Sequence, residues 1–353
     1  FKQSYPIFFI MESVFKYIFA MIVGAMFILF FVGFGKDIIS SSETMEAGVL
    51  VAGFDDYLFT LTANEMTKDD QNFGIQTLLN FKEGTISSGK NKPKDTNRIV
   101  YAPKTLSGTK ITTRAIRWEF PYKIDSFFYI TNARYKYVIV YDDSSKEFVN
   151  ELAQGIRATF EFRNYTKTQL LTPTTINSLK SLYTDMSRVT FLVIADSDLS
   201  PGDKTKIKTA IPKAQFVFAK SLGQEDDRDP EKQWTYGSIR FDGESSDSYY
   251  IGNAMLLGAM YAEDKANYDF NFKRAMERLA AVSDIYDGKI QRLSQAAGEC
   301  NYNTMIGAFS GLAGAAKSAK EGNMNAGKLN EIVLRVDGMD YTNSRELDCT
   351  AVF

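Results

Sequence analysis

"RYKYVIVYDD", Arg134–Asp143, decides how this chain is read. From Tyr137 to Tyr141 it runs aromatic and β-branched without a polar break, and two acids end it. A strand covered on both faces reads as a continuous apolar run rather than an alternating one. The next stretch, "SSKEFVNELAQGI", opens on a capping serine and carries apolar residues at helical spacing. The rhythm then repeats. "RATFEFRNY" reads as a strand, "TPTTINSLKSLYTDM" as a helix entered through Thr-Pro, and "RVTFLVIADSD" as a second continuous strand. "SPGDKTKIKTAI" is a short helix entered through Ser-Pro, and "AQFVFAKSL" is another strand. Strands alternating with helices predict parallel pairing, right-handed crossovers and helices on both faces. Residues 134–246 are therefore expected to form a three-layer α/β domain.

On the C-terminal side, residues 247–353 turn helical. "DSYYIGNAMLLGAMYAED" is one apolar pattern, and a longer one follows with Phe272, Met276, Leu279, Val282, Ile285, Ile290 and Leu293 mostly at helical spacing. A further helical pair follows Cys300. On the N-terminal side, residues 41–133 form a mixed strand and loop region. Val49–Val51 and Tyr57–Leu61 fit short strands and buried helix equally well. "KEGTISSGKNKPKDTNR" has loop composition, and "RIVYAPKTLSGTKITTRAIRWEF" alternates as a strand or hairpin does. No internal repeat stands out.

Residues 1–40 are of another kind. From Ile7 to Gly35 the only charges are Glu12 and Lys16. A helix needs about 20 apolar residues to cross a bilayer, whereas the apolar core of a cleaved signal is about 7–15. The run therefore predicts a retained helix, spanning a membrane or forming the core of an assembly. Glu12 and Lys16 are spaced to pair along one helix or between neighbours, and Gly24 and Gly33 allow helices to approach closely. The expected fold class is α/β with an N-terminal hydrophobic helix and a helical C-terminal region.

Composition removes several function classes. The chain has no histidine, two cysteines and a formal net charge of −2. Without histidine, Ser-His-Asp and Cys-His catalysis are excluded, and the commonest transition-metal ligand is missing. The charge balance argues against a nucleic-acid partner. Cys300 and Cys349 stand as two buried thiols or as one disulfide, and an export-competent N-terminus favours the disulfide, placing the bulk of the chain outside. Closing a loop of roughly 50 residues would contribute about 4 kcal/mol by the chain-entropy model. The sequon Asn164-Tyr165-Thr166 makes Asn164 a candidate glycosylation residue for an exported chain.

Acids gather where the strands of the α/β segment end: Asp142 and Asp143 after one, Asp196 and Asp198 after another. Open α/β sheets bind ligands at that end, and paired acids there are candidate oxygen ligands for Mg²⁺ or Ca²⁺. "DSDLS", Asp196–Ser200, resembles a von Willebrand-type metal-adhesion motif, with Asp198 where that motif has serine. The competing and favoured reading is that these acids and serines end strands and cap helices. No resident cofactor and no enzymatic activity are expected.

The N-terminal 35 residues resemble the processed start of type IV pilin-like proteins. Phe1 matches the mature terminus of the bacterial family, and Glu12 supplies an acid within a long apolar helix, later than that family places it. Lys2-Gln3-Ser4 is similar to archaeal class III signal sequences. The resemblance implies an extracytoplasmic filament subunit at the cell surface. It would sit in the membrane before assembly and then pack against copies of itself through Phe1, Glu12, Lys16, Gly24 and Gly33. The alternative is a monomeric, membrane-anchored α/β binding protein facing outward, with the strand-end acids lining its cleft.

Overall fold

The computed structural model describes residues 51–63, 68–88, 92–156, 162–223, 236–296, 302–322, 324–343 and 352, together with 21, 23, 25, 26, 28, 48 and 49. Phe1, Glu12, Lys16, Gly24, Gly33, Cys300 and Cys349 lie outside the described residues. So do most of the N-terminal apolar run and the two cysteines on which the disulfide reading rests. Among the described residues, no helix is long and apolar enough to cross a membrane.

Two six-stranded sheets organise the described chain. The first contains β1 (Lys68–Lys82), β2 (Thr85–Ser87), β3 (Lys94–Asp95), β4 (Ile99–Tyr101), β5 (Thr105–Glu119) and β6 (Lys123–Thr131). Its order is β3-β2-β1-β5-β6-β4, antiparallel except where β4 runs parallel to β6. The second contains β7 (Tyr135–Tyr141), β8 (Arg163–Thr166), β9 (Arg188–Ile194), β10 (Ala214–Ser221), β11 (Tyr236–Phe241) and β12 (Ser248–Ile251). Its order is β12-β11-β10-β9-β7-β8. The strands from β8 to β10 are parallel, and β11 and β12 are antiparallel.

The parallel part follows the expected rhythm. Helices α2 (Lys146–Ile156), α3 (Lys167–Leu170), α4 (Pro173–Tyr183) and α5 (Pro201–Ala210) connect its strands, preceded in the chain by α1 (Phe54–Ala63). Thr172 and Ser200 cap α4 and α5, and each is followed by a proline at the first helical position. The sheet does not stop where the apolar helical pattern was read to begin. Ser248–Ile251 is a strand, and the helix starts only at Gly252, whose φ of +76° suits glycine.

That helix, α6 (Gly252–Tyr261), is the middle of the molecule. Eight of its ten residues are buried. A helix that is apolar all round must be covered on every side, and α6 touches strands of both sheets. Around it lies a tyrosine-rich core. Tyr101 of β4 stacks on Tyr129 of β6 and on Tyr268, each with ring centroids 5.8 Å apart. Tyr261 stacks on Tyr137 at 4.2 Å. Two of the hydroxyls reach partners: Tyr129 donates to Ala254 O at 2.7 Å, and Tyr137 lies 3.0 Å from Thr131 Oγ1. Rings of this size bring large apolar area into the core, and the buried Tyr101 hydroxyl is left without a hydrogen-bond partner among the described residues.

The outer faces are covered too. Phe54, Leu58 and Leu61 of α1 pack on the first sheet against Leu79, Phe81, Leu106 and Phe128. The segment left open between strand and buried helix is thus helix. On the far side of the second sheet, Leu170, Leu179 and Ile207 pack from α3, α4 and α5 onto Val138, Phe191 and Phe216. The C-terminal region adds α7 (Lys265–Ala296), α8 (Ala308–Lys320) and α9 (Ala326–Tyr341). Lys320 meets Glu277 at 2.7 Å and Lys317 meets Asp284 at 2.9 Å, so α8 runs antiparallel to α7.

The loop reading of "KEGTISSGKNKPKDTNR" is corrected. Lys82 pairs with Thr85 across a two-residue turn, Glu83-Gly84, and the chain continues into β2 and β3. Both turn residues have positive φ, +43° and +79°, as a tight hairpin that follows the strand twist requires. Ile285, read as part of the apolar stripe of α7, is 70 % exposed. The packed face carries Ser283 instead, whose Oγ lies 2.7 Å from the Tyr122 hydroxyl. Two residues along a helix turn through about 200°, which points Ile285 away.

Candidate functional site

The second sheet places its switch point between β7 and β9. From β7 the chain crosses to α2, on the face shared with α6, whereas from β9 it crosses to α5, on the opposite face. Connections that part to opposite faces leave a crevice at the carboxyl ends of the two strands. Asp142 and Asp143 sit on one side of it, and Asp196 and Asp198 on the other.

The structure brings Asp142 and Asp196 together through Ser144, one of the two serines read as opening a helix; the cap of that first turn is Asp142 instead. Ser144 Oγ lies 2.7 Å from Asp142 Oδ1 and 2.7 Å from Asp196 Oδ2, so its one proton serves one carboxylate at a time. The backbone N–H of Asp196 donates to Asp142 Oδ2 at 3.0 Å. Ser145, buried, has its Oγ 3.1 Å from Asp142 Oδ1 and 2.5 Å from Ile194 O, and its one proton serves either of them. Lys167 donates to Ser197 O at 2.5 Å and to Ser197 Oγ at 2.8 Å, and its Nζ stands 3.9 Å from Asp142 Oδ2. Burial pulls the Asp142 carboxyl upward. The bonds from Ser144, the Asp196 N–H and Ser145, with the Lys167 charge, outweigh that and hold it below the usual carboxylate range.

Asp142 is thus an anchor whose oxygens are committed to the loop after β7 and the loop after β9. Asp198 turns aside and pairs with Arg240. Asp143 is exposed in the first turn after β7. Among the described residues, no group of three or more acids or cysteines converges as a metal cage would. Ser200, the last residue of the motif-like stretch, accepts from the N–H of Asp203 at 3.1 Å as a helix cap does. After β11, Asp242 opens another acidic stretch and is held by Lys204 at 3.1 Å and Lys208 at 2.7 Å.

Asn164 lies half-buried on β8, opposite Ile139 of β7. The hydroxyl of its sequon partner Thr166 caps α3, accepting from Gln169 N–H at 3.1 Å. Trp118 is core, stacked on Phe127 at 5.1 Å.

Ser144 and Ser145 had a local signal, two small hydroxyl residues directly after an acid pair. Lys167 and Arg240 had none, because they arrive from distant strand and helix ends. A comparison of the chain with protein-family models, with curated proteins and with solved structures finds no match.

Proposed function

We propose that this chain is an extracytoplasmic structural protein, a pilin-like filament subunit held in the membrane before assembly and joined to its copies through the N-terminal apolar helix. The observation that carries this reading is the state of the described part of that segment. Met21, Met26 and Ile28 lie on helical backbone and are 72, 66 and 66 % exposed. Apolar side chains on a helix that the rest of the chain does not cover call for another apolar partner, lipid or protein. Two further features support it. The helix α1, further along the same N-terminal part, is not a loose linker, since Phe54, Leu58 and Leu61 bury it on the first sheet. In the crevice, Asp142 and Asp198 are committed to internal partners.

The test is electron microscopy of material sheared from the cell surface, with mass spectrometry of the same fraction. Filaments rich in this chain, lost in Glu12→Ala or Lys16→Ala, are the expected result. Single particles that stay with the membrane in all variants overturn it and leave the membrane-anchored binding protein as the reading.

A further inference from the structure

We infer that a cavity beside the start of α7 binds a neutral, polyhydroxylated ligand of mono- to disaccharide size. The cavity has a volume of about 390 Å³ and lies between the ends of β1 and β5 and the first turn of α7. That is within the range of about 300–1,000 Å³ typical of small-molecule sites. Most of its lining residues are polar, although their carbon atoms make up the larger part of the surface it shows. Phe81 and Ala266 are its apolar members, and the rest are Asn80, Lys82, Glu83, Lys104, Thr105, Asp264 and Asn267.

The charges on this wall cancel. Lys104 is ion-paired with Asp264, whose other oxygen accepts from the Asn267 N–H at 2.8 Å. Lys82 and Glu83 are adjacent, exposed and of opposite sign. An anion or a cation would find no net complement here, and an apolar ligand would strand polar groups. What the wall offers is side-chain amides. Asn267 is only 7 % exposed; its Oδ1 accepts from the Glu83 N–H at 2.7 Å, which leaves the Nδ2 donor uncommitted to protein. Asn80 Oδ1 accepts from Thr105 at 3.3 Å, which leaves its Nδ2 likewise. Two free amide donors beside the Thr105 oxygen match ligand hydroxyls, whose oxygens accept and whose protons can be given to that oxygen.

The site is also pre-formed. The Glu83–Asn267 bond ties the β1–β2 turn to α7, and the Lys104 N–H donates to Glu263 Oε2 at 2.6 Å, just before α7. Little ordering remains for the ligand to drive. This inference stands apart from the filament reading, since either kind of protein can carry such a site.

The experiment is saturation-transfer NMR on the full chain in detergent, with glucose, galactose, mannose, N-acetylglucosamine and their β1,4-linked disaccharides as probes at millimolar concentration. Glycine and inorganic phosphate serve as competitors. Two variants plug the cavity from opposite walls, Asn80→Leu and Ala266→Trp, and unfolding midpoints check that each folds. The expected result is saturable transfer to at least one sugar, weakened at least about tenfold in both variants and untouched by the competitors. Transfer to no sugar, transfer unchanged by both plugs, or displacement by glycine or phosphate overturns the inference.

Discussion

The carboxamide of Asn271 takes the place of a neighbouring strand for Val100. Its Nδ2 donates to Val100 O at 2.7 Å, and its Oδ1 accepts from Val100 N–H at 3.0 Å. Val100 is the centre of β4, which has β6 on one side and, among the described residues, no strand on the other. An edge strand left open invites pairing with another chain, and buried backbone groups left open are costly. Asn271, 2 % exposed on α7, closes the edge and fastens the C-terminal helices to the first sheet. Replacing it with leucine strands both groups of Val100. Asn271→Leu is expected to lower unfolding free energy by about 2–5 kcal/mol, read as a shift of the urea midpoint at constant slope. A loss below about 1 kcal/mol would show that the edge finds another partner.

The second prediction concerns the approach of α6 to the tyrosine core. A Cβ on Gly258 would come within 2.6 Å of the Tyr101 ring, which is fully buried between Tyr129 and Tyr268 and has nowhere to go. Alanine is the better helix former by about 1 kcal/mol, but overpacking a closed core costs about 1–3 kcal/mol. Gly258→Ala should therefore destabilise. Gly314 of α8 is the control, since a Cβ there meets nothing within 4 Å. Gly314→Ala should stabilise by about 0.5–1 kcal/mol. Thermal midpoints moving in opposite directions for the two variants are the expected readout.

The two sheets were not equally legible. Val138–Val140 and Phe191–Ile194 are buried on both faces, so burial itself wrote the continuous runs that mark parallel strands. Thr172-Pro173 and Ser200-Pro201 marked helix starts because capping is local chemistry. The first sheet lacks such signals. Its two long strands shift register between Asn72 and Thr77, and its hairpin turns on Glu83, a residue that seldom takes positive φ. Nothing near Asn267 announces its bond to Glu83, 184 positions away. At the crevice the acids were legible as residues, but their use was not. Whether Asp142 is free or bound depends on Ser144, Asp196 and Lys167, which only the fold assembles.

Asp142 also predicts a pH dependence. Its carboxyl is held below the usual range despite burial, by Ser144, the Asp196 N–H, Ser145 and Lys167. A carboxylate with a lowered folded pKa contributes stability that is complete above its unfolded pKa of about 3.9. That contribution is lost as pH falls from there through the folded value. Asp142→Asn should thus cost stability at neutral pH and flatten the acid limb, the variant and the parent converging once pH has fallen below the folded value. Asp242, lowered by Lys208 and Lys204 against burial, adds a similar slope elsewhere, so Asp142→Asn flattens the limb only in part. Urea midpoints across the acid range decide it, and parallel curves for parent and variant would remove Asp142 from the account.

The last prediction tests the compartment through Cys300 and Cys349, the two cysteines of the chain. They are 49 positions apart, and a bond between them would restrict the unfolded chain over a loop of roughly 50 residues, contributing about 4 kcal/mol in the chain-entropy model. A chain exported through its N-terminal apolar segment meets an oxidising environment, where such a bond persists, whereas a chain kept with the cytosolic thiol pool does not. Unreduced protein taken from its native cell should therefore show no alkylated cysteine by intact mass and should gain two adducts after reduction. Reduction should also lower the unfolding midpoint. Ready labelling of both cysteines without reductant would take away the main argument for an extracytoplasmic location, and with it the setting that a surface filament needs.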